Sequence, residues 1–204
     1  MKKKGHIIFC GYTSATEVAI AELSDEIRKQ GIVILSQKEV PPLKGITHLP
    51  LDYFNINNLR HKKVKLDECS VCVIFSEFKK GETSKIVDMH TVLTVYNIKK
   101  ENPDVHVIAE IINRDNTTLI NDLHCDDIIF KETIDLYLIV KCILHPNISP
   151  IIYDLLTVQG KQIKETSLNE TGLSETEVVY RDVRVHGLEK DITFIGYLSG
   201  TDQI

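Results

Sequence analysis

Short, continuous apolar runs separated by helical patterns constrain this chain more than any other feature. Ile7-Ile8-Phe9-Cys10 has no polar residue to turn toward water. Such a run reads as a strand covered on both faces, the condition of a strand inside a parallel sheet. Ile32–Leu35, Val71–Phe75, Val105–Ile112 and Ile128–Phe130 repeat the pattern, with a weaker strand at His48–Leu51. Between the first two runs, Ala15, Ala19, Leu23 and Ile27 recur every four residues, with Ile20 on the same face. That spacing predicts a helix from about Ser14 to Gln30, with Gly31 placed to cap it. A short helix is expected over Asn57–Lys63 and another over Asn116–Leu123. Residues 82–100 form a long one with Ile86, Met89, Leu93 and Tyr96 on one stripe, and Pro103 closes that unit. Strands and helices in alternation require parallel βαβ units with right-handed crossovers. The expected fold class is therefore α/β, a Rossmann-type six-stranded parallel sheet in the order 3-2-1-4-5-6.

The chain after the sixth strand obeys a different rule. Ile134–Leu144 reads IDLYLIVKCIL, apolar nearly all round, so it needs cover on more than one side. One face can pack on the sheet, and the other needs a partner chain or the following segment. His145-Pro146-Asn147 breaks the helix. Ser149-Pro150 then offers an N-cap and a first-turn proline to a second helix carrying Ile151, Ile152, Leu155 and Leu156 and ending near Gly160. Lying outside the sheet, this helix-turn-helix reads as a dimerisation element. From 161 the pattern becomes a small β-rich tail, with Val183 and Val185 alternating with polar residues and Ile192–Leu198 returning as a hairpin strand. The expected organisation is thus 5–130 for the sheet, 131–160 for the helix pair and 161–204 for the small C-terminal subdomain.

Composition narrows the partners. The 204 residues carry a net charge of −5, unevenly placed: 16 basic and 12 acidic side chains up to residue 102, 8 and 17 after it. The acidic half argues against nucleic acid, which needs a concentrated basic face. A cation or a protein surface suits it better. No apolar run approaches the roughly 20 residues that cross a bilayer, and Lys2-Lys3-Lys4 is not followed by a signal-peptide core. Five cysteines, at 10, 69, 72, 125 and 142, are an odd count without a second CxxC, which points to reduced thiols in a cytoplasmic setting.

The first strand-to-helix turn bears on cofactors. A dinucleotide turn reads GxGxxG, where the glycines let pyrophosphate approach the backbone. Here it reads Gly11-Tyr12-Thr13-Ser14-Ala15-Thr16, and only the first glycine remains. Amides at Thr13 and Ser14 could still face an anion at the helix start. The second strand ends Leu35-Ser36-Gln37-Lys38, without the acid that would hold a ribose. Both departures disfavour NAD, and no catalytic Tyr-x-x-x-Lys is visible. An NAD-dependent oxidoreductase is accordingly the weakest of the readings considered.

Taken together, His6-Ile-Ile-Phe-Cys-Gly-Tyr-Thr-Ser14, Leu51-Asp52, the run Leu59 to Phe75, Pro103–Ile112 and the broken helix pair resemble RCK (regulator of K⁺ conductance) domains. These are related to the regulatory subunits of Trk/Ktr transporters. The resemblance covers about residues 5–160 and implies a non-enzymatic gating-ring domain of a ligand-gated potassium channel. It would sit in the cytoplasm under the membrane, as an excised domain, an internally initiated product or a separate subunit. Its implied partners are itself, as a homodimer or an octameric ring, and a channel pore domain, which alone would contact the membrane. The alternative is a nucleotide-binding Trk/Ktr-like subunit. By the resemblance, Gly11, Thr13, Ser14 and Asp52 face the ligand crevice. A divalent cation such as calcium would use carboxylates near the ends of strands four and five. Glu110 matches one such position, Ile112 replaces a second, and Ser76 stands at a third with Glu77 displaced by one.

Overall fold

The computed structural model describes residues 5–131 and 133–157, all within the first of two units, residues 1–161, into which the chain divides. The expected β-rich tail lies outside the described residues.

Six parallel strands form one sheet: β1 (Ile7–Cys10), β2 (Ile32–Leu35), β3 (Ile46–Leu49), β4 (Val71–Ile74), β5 (His106–Ile111) and β6 (Asp127–Phe130). Their order is β3-β2-β1-β4-β5-β6, as the alternation of runs predicts. β1 lies between β2 and β4, with Ile7 beside both Ile32 and Val71. Successive side chains point to opposite faces, which explains why the central runs carry no polar residue. Ile8, Cys10, Leu35, Cys72 and Ile74 join Leu59, Val64, Val95 and Ile98 on one face. Ile7, Phe9, Ile32 and Ile34 join Ile20 and Phe75 on the other.

Three local expectations need correction. The helix predicted over 14–30 is two: α1 (Ser14–Glu22) and α2 (Asp25–Arg28). Leu23 turns extended, and Ser24 begins a new helix by accepting a hydrogen bond from Ile27 N. Arg28 reaches back to the carbonyls of Ala21 and Leu23, holding the break in place. β3 starts two residues earlier than expected, because on this edge strand Ile46 pairs with Ile32 while His48 is only half-buried. The next helix, α3, is a single turn at Ile56–Leu59.

α4 (Ser84–Glu101) crosses from β4 to β5, and α5 (Thr117–Asp122) from β5 to β6. α4 buries Val87, Asp88, Thr91, Val92, Thr94, Val95, Asn97 and Ile98. The stripe Ile86, Met89, Leu93 and Tyr96 faces outward, Met89 about half exposed at 51%.

α6 (Thr133–Leu144) and α7 (Ser149–Leu156) follow. Ile148, not Ser149, occupies the cap position of α7, with Pro150 in the first turn as expected. The expectation that one face of α6 rests on the sheet is not met: neither helix buries a residue among the described ones. Both faces of the sheet are filled around β1 and β2, whereas over β4, β5 and β6 the face carrying Val73, Ile108 and Ile129 stays part-open, Ile129 at 43%. Ile143 is left 72% exposed. Leu138, Ile139, Cys142, Ile143, Ser149 and Tyr153 line an open groove of about 470 Å³ between the two helices.

Candidate ligand crevice

In an open parallel sheet the ligand crevice lies beyond the carboxyl ends of the strands, where the strand order reverses. Here that point falls between β1 and β4, and Gly11 follows β1 directly. Gly11 has φ +97°, and a Cβ there would stand 3.1 Å from the Phe75 carbonyl oxygen and 3.2 Å from Glu77 Cβ. Only glycine serves at such a place.

The amides that follow are taken. Tyr12 N donates to Glu77 Oε1 at 3.1 Å. Thr13 N donates to Thr16 Oγ1 at 3.0 Å, and that hydroxyl donates to the Gly11 carbonyl. Glu77 is 2% exposed. Its Oε1 also accepts from Ser36 Oγ at 2.7 Å and lies 3.6 Å from Lys38 Nζ. Its Oε2 is buried without a hydrogen-bond partner, alone in this among the described residues. One carboxylate thus ties together the ends of β1, β2 and β4. Ser36, where an acid would hold a ribose, is instead a donor to that carboxylate.

Asp52 sits across the crevice, with Oδ1 2.6 Å from Lys79 Nζ. Lys79 also donates to Gln37 Oε1 and lies 4.9 Å above the Phe54 ring. Phe54 stacks on His90 of α4 at 4.1 Å between centroids, and His90 Nδ1 lies 3.8 Å from Glu82 Oε1. A cation over an aromatic face and an ion pair reinforce each other in such half-buried surroundings. Tyr53, buried beside this cluster, has its phenol pushed well above its ordinary range by burial and then by the negative charge of Glu77.

Glu110, at the end of β5, accepts from Ser76 N at 2.7 Å, with Lys131 Nζ 3.9 Å away. Ser76 Oγ donates in return to the Glu110 carbonyl. Glu77 and Glu110 therefore each bind the backbone of their own surroundings. Among the described residues no group of three or more His, Cys, Asp or Glu converges as a metal site. Asp88, which holds the chain leaving β5, is not among the residues the sequence reading singles out. It is fully buried on α4 and accepts from Ile112 N and Asn113 N at 2.9 Å each and from Asn116 Nδ2 at 2.8 Å. A lone Asp among Val, Thr and Ile on the inner face of a helix was the available signal. Ser36, Phe54, Lys79 and His90 were likewise outside the predicted site.

The fold and this crevice define a Rossmann-type domain whose first turn is filled by its own side chains. Residues 54–109 match the family model of the calcium-activated potassium channel slowpoke-like RCK domain. That span runs from Phe54 to Ala109 and contains Glu77, Lys79, Asp88 and His90. Among solved structures, the chain is similar to the TrkA-N domain of inner membrane protein ybaL from Escherichia coli: 14% identity, TM-score 0.54, covering 67% of this chain and 95% of that one. It is also similar to the human SLO3 gating ring, at 19% identity and TM-score 0.57, covering 80% of this chain and 31% of that one. A third likeness is to GsuK bound to ADP, at 11% identity and TM-score 0.53, covering 71% and 35%. The chain resembles RCK and TrkA-N type domains, by sequence over 54–109 and by fold across the sheet. It spans about a third of the length of the gating-ring and GsuK chains. No curated protein matches it. Among the described residues no helix is long and apolar enough to cross a membrane.

Proposed function

We propose that this chain is a cytoplasmic, non-enzymatic regulatory domain of a potassium channel. In this reading it couples binding of a small ligand or cation in the crevice to pore opening, through rearrangement of a dimer or larger ring. The match of residues 54–109 to the slowpoke-like RCK model carries the proposal.

The molecule has the parts such a device needs. α4 carries His90 against Phe54 beside the crevice and Asp88 against the chain leaving β5, with the outward stripe Ile86, Met89, Leu93 and Tyr96 on its other side. A second apolar surface lies on α6 and α7. Exposed apolar patches of this extent mark interaction sites. Two separate patches let one chain hold two neighbours, which is how a ring grows beyond a dimer. A ligand that binds one arrangement of the crevice better than another shifts α4, and with it the neighbour seated on α4. Gly11, Thr13, Ser14 and Asp52 line the proposed ligand position. A cation at Glu77 or Glu110 would have to displace the backbone donors those carboxylates now hold.

The Trk/Ktr alternative, with a nucleotide in the crevice, draws on the likeness to GsuK bound to ADP. The occupied amides of Tyr12 and Thr13 weigh against it.

Sedimentation velocity on the full chain, alone and with Ca²⁺, Mg²⁺, Na⁺ or ADP, tests the proposal. Dimers or larger species are expected, with one ligand shifting their size or thermal midpoint. A strict monomer under every condition overturns it.

A further inference from the structure

The geometry around Gly11 points to a built-in anion: we propose that the Glu77 carboxylate occupies the seat that a bound phosphate would take at the first turn. This inference rests on the crevice alone and not on the channel reading.

Four observations converge on it. The glycine whose missing side chain would admit a phosphate has Glu77 Cβ against it instead, 3.2 Å from where its own Cβ would be. The amide next in line, Tyr12 N, points its hydrogen at Glu77 Oε1. That same oxygen collects the Ser36 hydroxyl at the end of β2 and lies near the Lys38 ammonium. A backbone amide, a hydroxyl and a lysine around one oxygen form the donor set that ordinarily binds a phosphate oxygen. The fourth observation is Oε2, sealed from solvent with no partner. A carboxylate placed for stability alone would satisfy both oxygens, because a buried oxygen without a donor is costly. A group that fills a seat shaped for a larger, multi-oxygen anion leaves this kind of remainder.

The consequence is selectivity. An incoming phosphate meets a buried like charge, and the Tyr12 and Thr13 amides are already engaged. The domain thereby holds β1, β2 and β4 together without a nucleotide, with Glu77 supplying the bridge. Glu77 is on this account the residue that decides which class of ligand the crevice refuses.

Removing the side chain should empty the seat while leaving its donors, Tyr12 N, Ser36 Oγ and Lys38, in place. Glu77→Ala should lose thermal stability and regain part of it with inorganic pyrophosphate at millimolar concentration. Wild type and Glu77→Gln, whose amide still fills the seat, should not respond. By isothermal calorimetry pyrophosphate should bind E77A at least about tenfold more tightly than wild type, a difference of about 1.4 kcal/mol. Equal stabilisation of wild type and E77A, or pyrophosphate binding no tighter in E77A, overturns the proposal. Should E77A fail to fold, wild type decides: saturable pyrophosphate binding to it overturns the proposal, and refusal of pyrophosphate together with rescue of E77A refolding by that anion supports it. A monomeric wild type with an anion-rescued E77A would sink the channel reading and leave this one standing.

Discussion

The central strands and the helix pair of this chain are both built from largely apolar sequence and end in opposite states. In β1 every residue is buried, from Ile7 to Cys10. In α6 none is, although only Asp135 and Lys141 interrupt the apolar run IDLYLIVKCIL. β1 and β2 find cover within the chain because their runs are short, parallel and flanked by helices on both faces. α6 buries no residue against the sheet, although Val73, Ile108 and Ile129 leave one face of β4, β5 and β6 part-open. Self-sufficiency is thus decided by what surface an element finds to cover it, and on the proposed assembly the helix pair is the part that would meet a neighbour.

Charging the helix pair is the strongest way to break that comparison. Leu138→Asp or Ile139→Asp should abolish association, since an unpaired charge buried in an interface costs about 3–5 kcal/mol, two to nearly four decades in Kd. The sheet should stay folded, so far-UV circular dichroism and the thermal midpoint of the monomer should barely change. Sedimentation and melting measured on the same samples check both halves. If dimers survive both substitutions, the groove between α6 and α7 is not an interface.

A second substitution works from the other side. Asp88 is fully buried and accepts three hydrogen bonds that hold the chain leaving β5. Asp88→Ala leaves the Ile112 and Asn113 amides without this acceptor and an apolar gap under α4, and should destabilise the sheet by about 1–3 kcal/mol, lowering the denaturant midpoint. Association through α6 and α7 should persist at temperatures where the variant is folded. A variant that melts like wild type would show that the loop finds other acceptors.

What was legible in advance follows the same division. Continuous apolar runs are unambiguous, so Ile7–Cys10, Ile32–Leu35 and the strand order came through. The edge strand was misplaced by two residues, because Ile46–Leu49 is covered less evenly and its pattern is diluted. Ser24-Asp25-Glu26 carried the signature of a new helix start, yet the four-residue repeat through Leu23 and Ile27 concealed it. On α4 periodicity identified the stripe Ile86, Met89, Leu93, Tyr96 but could not say which way it faces. The competing face, with Thr91, Thr94 and Asp88, is buried because those polar groups bond within the chain. The crevice was legible only as a negative. Missing glycines indicated a poor nucleotide turn, but that Glu77, from 65 residues along the chain, fills it depends on the sheet bringing β1 and β4 together.

The cysteines sharpen the contrast between covered and uncovered regions at the smallest cost to the protein. Cys10 and Cys72 are buried in the sheet and Cys69 is buried just before β4, while Cys125 and Cys142 are half-buried. Burial pushes the Cys125 thiol up to about 11, with the nearby Asp126 carboxylate adding to the effect and the Asp127 backbone bond and Lys99 opposing it. The thiolate is the nucleophile, so a raised value leaves little reactive form at neutral pH. Alkylation of the native protein, followed by mass spectrometry, should therefore label Cys142 first and leave the three buried cysteines untouched. Labelling at Cys125 should accelerate about tenfold per pH unit across the alkaline range, still climbing where an ordinary thiol has levelled off. If assembly covers α6, Cys142 should be protected in the oligomer and released by Ile139→Asp, while Cys125 keeps the same pH profile in both. Equal labelling of Cys142 in wild type and I139D would separate that cysteine from the interface and confine the neighbour to other residues of the pair.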